Sequence, residues 1–246
     1  MPRRVTARDL LDIALEGEPM TPPRFDVAAN HVPEAVHIPV GLTYSVPGTL
    51  ALPPHPLGLV LFAHGSGSSR FSRRNRYVAD RLFDANLGWL LFDLLTDRES
   101  RSRDNVFDIP LLAERLRLAT EWAAEYPATR DLVPGYFGAS TGAAAALMAA
   151  SGTTRVRAVV SRGGRPDLAD EWLPRVTVPT LLIVGGADHE VLELNARALQ
   201  RLGGVRELIV VPRATHLFQE PGTLGWVAAE ATGWFSRYLP AGADEP

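Results

Sequence analysis

The chain has 246 residues, of which 46% are hydrophobic and 22% charged, a composition that fits a folded globular protein and excludes disordered and collagen-like chains. Its formal net charge of −3 gives no general attraction to nucleic acid or to an anionic membrane. The absence of cysteine excludes disulfides, thiol catalysis and thiolate metal sites. All 25 basic residues are arginine, which excludes a lysine base or Schiff base.

Residues 1–34 are predicted to form an N-terminal arm. A weakly amphipathic helical segment at 6–16 is followed by Pro19, Pro22, Pro23 and Pro33, which interrupt regular structure. The arm either packs on the rest of the protein or mediates contacts in a homodimer. Its first residues carry charges of both signs and no apolar signal segment, so we expect a cytoplasmic protein without membrane contact.

Strand and helix patterns alternate along the rest of the chain. Two short strands are predicted at 36–52, with Gly41 and Pro47-Gly48 as turn residues. Apolar strands and helices then follow in turn, with strands at 57–63, 89–92, 132–137, 156–160, 180–184 and 207–211, and helices at 73–86, 109–126, 142–150, 191–202 and 223–238. Continuous apolar strands that alternate with helices predict a mostly parallel sheet covered on both faces. We therefore expect one α/β domain at 35–240 and a C-terminal tail at 241–246.

Residues 138–142, with the sequence Gly-Ala-Ser-Thr-Gly, follow a predicted strand and open a helix. The small residues allow a strained turn that exposes the Ser140 hydroxyl, and the helix N-terminus stabilises developing negative charge. A serine nucleophile needs a base and an orienting acid, and both follow at later strand ends as His216 and Asp188. His189 and Glu190 compete with Asp188; we prefer Asp188 because it leaves the strand after Gly185-Gly186, and we expect Glu190 in the first turn of the next helix.

A glycine-rich loop at 64–67, with the sequence His-Gly-Ser-Gly, follows the first parallel strand. Its backbone N–H groups can turn toward a substrate oxygen, so we predict the amides of Ser66 and Thr141 as the oxyanion hole. His64 is interpreted as a structural hydrogen-bonding residue. The loop lacks the lysine-containing phosphate-binding pattern, and the scattered histidines do not indicate a metal site, so no cofactor is expected.

Together, the segments 64–69, 138–142, 185–191 and 214–218 resemble the α/β-hydrolase superfamily and, within it, the dienelactone-hydrolase-like group. The similarity covers residues 36–239 and implies the α/β-hydrolase fold, with Ser140, Asp188 and His216 as the triad. Dienelactone hydrolases proper have cysteine at the nucleophile position, so their lactone substrate does not transfer to this chain. Similar domains also look like the hydrolase partners fused to phosphoribosyltransferase domains.

Substrate recognition is less well defined by the sequence. The connection at 162–179 has room for one short helix and not for a large lid domain, which predicts an open site. Arginines cluster in the loops near the predicted site, at Arg70, Arg73, Arg74, Arg76, Arg162 and Arg165. They either pair with nearby carboxylates or bind an anionic substrate, for which Arg162 is the leading candidate. Trp172 and Leu217 are candidate pocket residues.

The sequence thus predicts a serine esterase of the carboxylesterase type that acts on a small or accessible ester or lactone. Acyl transfer and peptide hydrolysis use the same triad and stay open as alternatives. A non-catalytic ligand-binding or interaction protein on the same fold is a further alternative, because fold alone does not determine function.

Overall fold

A computed structural model describes residues 32–240. The predicted arm helix at 6–16 and the tail at 241–246 lie outside these residues. The described part contains eight strands: β1 Glu34–Pro39, β2 Ser45–Ala51, β3 Leu59–Ala63, β4 Gly88–Phe92, β5 Pro134–Ala139, β6 Ala158–Arg162, β7 Thr180–Gly185 and β8 Arg206–Val211. Its α-helices are α1 Arg73–Asp84, α2 Arg103–Phe107, α3 Ile109–Glu125, α4 Thr141–Ala150, α5 His189–Arg201 and α6 Thr223–Tyr238. Two 3₁₀ segments cover Glu99–Arg101 and Pro166–Arg175.

The strands form one sheet in the order β1-β2-β4-β3-β5-β6-β7-β8. Strand β2 pairs antiparallel with β1 and β4, and all other pairs are parallel. This arrangement confirms the predicted α/β architecture, with a mostly parallel sheet. The carboxyl ends of β3, β5, β6, β7 and β8 lie along one edge, where the loops of an α/β sheet build binding sites.

Helices cover both faces of the sheet. On one face, α3 and α4 pack on the sheet through residues such as Leu112, Leu116 and Leu147. On the other face, α1 and α6 contribute Val78, Leu82 and Phe235 among others. Because both faces are covered, the parallel strands β3, β4, β6 and β7 are buried along their whole length, whereas β1 alternates between buried and exposed residues.

The prediction that Pro47-Gly48 form a turn is wrong, because both residues lie inside β2. Proline lacks an N–H and is rare in inner strands, but the ladder between β2 and β4 begins only at Gly48. Pro47 lies one residue before the start of that ladder, and its carbonyl accepts a hydrogen bond of 3.1 Å from the Asp93 amide. Gly48 fits the strand because a Cβ there would lie 3.0 Å from Val36 Cγ2.

The connection between β6 and β7 contains 3₁₀ helix over Pro166–Arg175, with a kink at Ala169, and no large lid domain covers the site edge in residues 32–240. Helix α5 begins at His189, two residues before the predicted start, and Glu190 lies in its first turn as expected. Every helix of this part of the chain is too short or too polar to span a membrane.

Candidate active site

Ser140 lies in the sharp turn between β5 and α4, with backbone angles of φ 53° and ψ −121°. A positive φ is unfavourable for a serine and persists only where the surroundings impose it. Two glycines allow the close packing around this turn: a Cβ on Gly138 would lie 2.4 Å from Ala143 Cα, and one on Gly142 would lie 2.2 Å from the Ala63 carbonyl oxygen. The close contacts at this turn therefore need glycine at both positions.

His216 and Asp188 meet Ser140 from the neighbouring strand ends. The Nε2 atom of His216 lies 3.3 Å from Ser140 Oγ, and its Nδ1 atom lies 2.7 Å from Asp188 Oδ2. Because a carboxylate only accepts hydrogen bonds, this geometry places the ring proton on Nδ1 and leaves Nε2 to accept from the serine hydroxyl. Asp188, rather than Glu190, contacts the histidine.

The predicted oxyanion donors are brought together across the same turn. Ser66 follows β3, and Thr141 is the first residue of α4, so its N–H has no acceptor within the helix. The Ser66 amide donates a hydrogen bond of 2.8 Å to the Thr141 hydroxyl. Both donor positions are therefore linked through one side chain.

Hydrogen bonds of His64 and Asp93 hold the loop that carries Ser66 in place. The Leu94 amide donates to His64 Nε2 at 3.2 Å, which leaves Nδ1 to donate to the Gly65 carbonyl at 3.1 Å. Burial lowers the pKa of His64, in keeping with a neutral ring. Asp93 accepts hydrogen bonds from the Arg70 amide, at 2.8 Å, and from its guanidinium. His64 thus has the structural hydrogen-bonding position that the sequence predicts.

A cleft of about 260 Å³ opens at the Ser140 hydroxyl. Its wall is formed by the loop after β3, helix α1, the end of β6 and the loop after β8. The residues in this wall include Ser66, Arg74, Asn75, Arg162, His216 and Leu217. A second cavity of about 380 Å³ adjoins it and shares Gly65, Ser66 and Ser68. Leucines and a valine line part of this second cavity, at Leu94, Leu95, Val106 and Leu112.

Of the six clustered arginines, Arg73 is exposed at the start of α1, and the other five divide into two groups. Arg70, Arg76 and Arg165 form ion pairs with Asp93, Asp80 and Asp167. Arg162 and Arg74 form no ion pair within residues 32–240, and a buried nitrogen of each has no hydrogen-bond partner there. These two guanidinium groups are the ones that border the cleft.

The two other candidate pocket residues have different positions. Leu217 borders the cleft, with 39% of its surface exposed. Trp172 is not brought to the cleft: it lies in the 3₁₀ segment, partly buried against the core, with the Arg175 guanidinium 5.3 Å from its ring centroid. Its side chain is used in packing because the connection that carries it folds down onto α4 and α5.

Asn75 borders the cleft, and the sequence analysis missed it. It is 1% exposed, and its Oδ1 has no partner among the described residues. Asn75 shares the buried face of α1 with Val78, Ala79 and Leu82. A polar residue at apolar helical spacing was the available signal.

In residues 32–240, no group of three or more His, Asp or Glu side chains is placed to hold a metal ion.

The chain is similar to known proteins over most of its length. No family model matches the chain. Two proteins from strains of Mycobacterium tuberculosis, whose curated names propose a phosphoribosyl transferase, are 60% identical over 195 residues, which is 79% of this chain and 44% of each of them. The chain thus spans less than half the length of these curated relatives.

Solved structures give the same fold. The dienelactone hydrolase of Anabaena variabilis is 53% identical, with a TM-score of 0.82 over 85% of this chain and 100% of that chain. An esterase domain from Rhodothermus marinus has a TM-score of 0.69 at 18% identity, over 85% of this chain and 99% of that one. A Pyrococcus furiosus esterase has a TM-score of 0.68 at 17% identity, over 89% and 100%.

At these low identities the two esterases support the fold alone, whereas the Anabaena protein matches over its full length at more than half of the aligned positions. The sheet order, the turn at Ser140 and this match agree with one another. The chain belongs to the dienelactone-hydrolase-like group of the α/β-hydrolase superfamily.

Proposed function

We propose that the chain is a serine hydrolase that cleaves carboxylic esters or lactones of small or accessible substrates. The observation that supports this most directly is the unbroken hydrogen-bonded series from Asp188 through His216 to the Ser140 hydroxyl. A hydroxyl in this setting is activated as a nucleophile because the imidazole takes its proton as it attacks.

In the proposed reaction, Ser140 Oγ bonds to the substrate carbonyl carbon while its proton passes to His216 Nε2. The carbonyl oxygen becomes an oxyanion and accepts hydrogen bonds from the Ser66 and Thr141 amides. The carbon–oxygen bond to the leaving alcohol then breaks, and the alcohol takes the proton from Nε2. Asp188 keeps the imidazole oriented and stabilises its positive charge.

Water completes the cycle on the acyl-enzyme. It gives a proton to His216 and attacks the acyl carbon, and the carboxylic acid leaves as Ser140 regains its proton. No cofactor is needed for either half of the reaction. The second cavity beside Ser66 has apolar side chains on part of its wall and offers room for the acyl or alcohol part of an ester of modest size.

The experiment that tests this proposal is hydrolysis of p-nitrophenyl esters from acetate to decanoate by the wild-type protein and by Ser140→Ala. We expect release of p-nitrophenol by the wild type and loss of that release in the variant, with the same melting temperature. Equal release by both proteins, or none by folded wild type on any ester, would contradict the proposal. The chain-length dependence also ranks the size of the acyl pocket.

Transfer of the acyl group to an alcohol or amine uses the same intermediate. Adding alcohols or amines to the ester assay and measuring the products distinguishes transfer from hydrolysis. The mycobacterial relatives carry transferase names, but this chain matches only 44% of each of those proteins. We therefore draw no transferase proposal from their names.

A further inference from the structure

Arg162 is a buried cation at the edge of the Ser140 cleft. It ends β6, where its Cα pairs with Ala139, the residue before Ser140. Its carbonyl accepts a hydrogen bond of 3.2 Å from the Ser140 amide. Only 7% of its surface is exposed, and it borders the same cleft as Ser140 and His216. The guanidinium is therefore held close to the reacting groups.

No described acidic residue neutralises this cation. Its Nη1 is buried and has no hydrogen-bond partner within residues 32–240. Burial and the charge of Arg74 lower the pKa of Arg162 to about 10, so the side chain is still a cation at neutral pH. The charged group that acts on Arg162 is therefore the guanidinium of Arg74, and not a carboxylate.

A structural role accounts poorly for such an arginine. Burying a charge is costly unless a partner of opposite charge and further hydrogen bonds compensate for the lost water. Arg70 and Arg165, in the loops beside it, have such partners in Asp93 and Asp167. Arg162 and Arg74 border the cleft and have no such partner within residues 32–240, an arrangement that suits the binding of an anion.

We propose that Arg162, supported by Arg74, binds an anionic group of the substrate, a carboxylate or a phosphate monoester, while Ser140 attacks an ester carbonyl of the same molecule. The planar guanidinium suits two-pronged binding of either anion. This inference rests on the proposed hydrolase function. The cleft measures about 260 Å³, so the anion and the ester are separated by a short linker.

Asn75 completes the wall beside Arg74. Its Oδ1 has no described partner, and its amide presents either an oxygen or an NH₂ group to a ligand, depending on rotation about the last side-chain bond. With the NH₂ turned to the cleft, it donates a third hydrogen bond to the same anion. With the oxygen turned there, it accepts from a protonated or hydroxylated part of the substrate.

The test compares esters that differ in charge. The probes are 4-acetoxybenzoate and 4-acetoxyphenyl phosphate, with 4-acetoxytoluene as their neutral counterpart, and monobenzyl adipate, with benzyl hexanoate as its counterpart. For each pair the ratio of kcat/KM, anionic over neutral, is measured in the wild type and the variants, so that the intrinsic reactivity of each ester cancels between proteins. Preference for carboxylate or for phosphate identifies the anion, and the adipate pair tests the acyl side of the ester.

Three variants make the result specific. Arg162→Met removes the cation, and we expect the ratio to fall about 10- to 100-fold, the range for a charged hydrogen bond. Arg162→Lys keeps the charge without the planar fork, and we expect an intermediate ratio. Arg197→Met removes an exposed positive charge on α5, outside the cleft, and should leave the ratio at the wild-type value.

Thermal unfolding distinguishes binding from structure. If Arg162 serves the substrate, Arg162→Met replaces an uncompensated buried charge by an apolar chain and its melting temperature equals or exceeds that of the wild type. A melting temperature several degrees lower, with an unchanged ratio, would overturn the proposal and identify a structural cation. Equal ratios in the wild type and Arg162→Met, at any stability, would overturn it as well.

Binding to the inactive protein separates this inference from the proposed function. Ser140→Ala is titrated calorimetrically with 4-acetoxybenzoate and 4-acetoxyphenyl phosphate, and the titration is repeated with Ser140→Ala/Arg162→Met. Binding that depends on Arg162 supports the anion site even if the wild type hydrolyses no ester. Hydrolysis that depends on Ser140, without anion preference or Arg162-dependent binding, keeps the hydrolase and overturns the anion site.

Discussion

The Thr141 hydroxyl accepts a hydrogen bond from the Ser66 amide, at 2.8 Å. The bond joins the loop after β3 to the first residue of α4, the two segments that carry the proposed oxyanion donors. The threonine thereby sets the spacing between the two amides before any substrate arrives. In the proposed reaction, the Ser66 N–H turns from the Thr141 hydroxyl to the oxyanion or shares its hydrogen between the two acceptors.

Replacing Thr141 by valine tests this role with almost no change in shape. The Ser66 N–H loses its acceptor, so we expect the free energy of unfolding to fall by about 1–3 kcal/mol. With the donors less well placed, kcat should fall about 10- to 100-fold while KM changes little. Thr141→Ser keeps the hydroxyl and serves as the control. A higher kcat in Thr141→Val would mean that the hydroxyl blocks the amide instead of placing it.

The acid of the proposed triad is tested by a pair of isosteric changes. Asp188 contacts His216 Nδ1, whereas Glu190 lies in the first turn of α5. Asp188→Asn should therefore reduce kcat by about 10³- to 10⁴-fold, because an amide can hold the imidazole in the wrong tautomer. Glu190→Gln should change ester hydrolysis little. The reverse ranking in a p-nitrophenyl ester assay would exchange the two roles.

Gly142 is predicted to be intolerant of even a methyl group. Its Cβ would lie 2.2 Å from the Ala63 carbonyl oxygen, a backbone atom that cannot rotate away. Gly142→Ala should lower the free energy of unfolding by about 3 kcal/mol or displace the turn at Ser140. A Cβ on Gly233, in α6, would have nothing within 4 Å beyond the backbone of its own helix, so Gly233→Ala should instead stabilise the protein by about 1 kcal/mol. Chemical denaturation of both variants checks the contrast, and equal stabilities would contradict it.

Stability should depend on pH through His64. Burial lowers the pKa of this histidine from its ordinary value of 6.5, so the unfolded chain takes up a proton on acidification before the folded one does. The contribution of neutral His64 to stability is therefore complete above about pH 6.5 and is lost as the pH falls below it. Melting temperatures from pH 7 to pH 5 should decline less steeply in His64→Gln, whose amide oxygen still accepts from the Leu94 amide.

Glu99 and Glu220 do not interfere with that measurement. Hydrogen bonds from Thr96 and Thr215, respectively, help to hold the pKa values of these carboxyl groups below 4.5. Their contributions are present above that value and are lost only as the pH falls further. Identical slopes for wild type and His64→Gln between pH 7 and pH 5 would show that the histidine is not the group responsible.

The sequence was sufficient to bring the three residues of the proposed triad to one edge because each of them follows a strand that its sequence pattern predicts. Gly138 and Gly142 mark the turn at Ser140, and the parallel sheet brings the ends of β5, β7 and β8 to one edge. The positions of Pro47 and Trp172 could not be predicted in the same way. The first depends on where the neighbouring strand stops pairing, and the second on how a short connection folds back onto the core.

The arginines show the same limit most clearly. Arg70, Arg162 and Arg165 all follow or end predicted strands beside acidic loops, and their local sequences do not distinguish them. Only the tertiary structure gives Asp93 to Arg70 and Asp167 to Arg165, and leaves Arg162 in the cleft without an ion-pair partner among the described residues. Pairing depends on distances between chain segments, which a pattern along the sequence does not contain.

All ten residues of α4 are buried, and six of them are alanines. No larger side chain fits there without displacing the sheet or the neighbouring helices. Substitutions by larger residues are therefore poorly tolerated in the helix that follows Ser140. Side chains that line the two cavities from other segments, such as Leu95, Val106 and Leu217, are where a substitution alters the walls of the site and leaves the nucleophile in place.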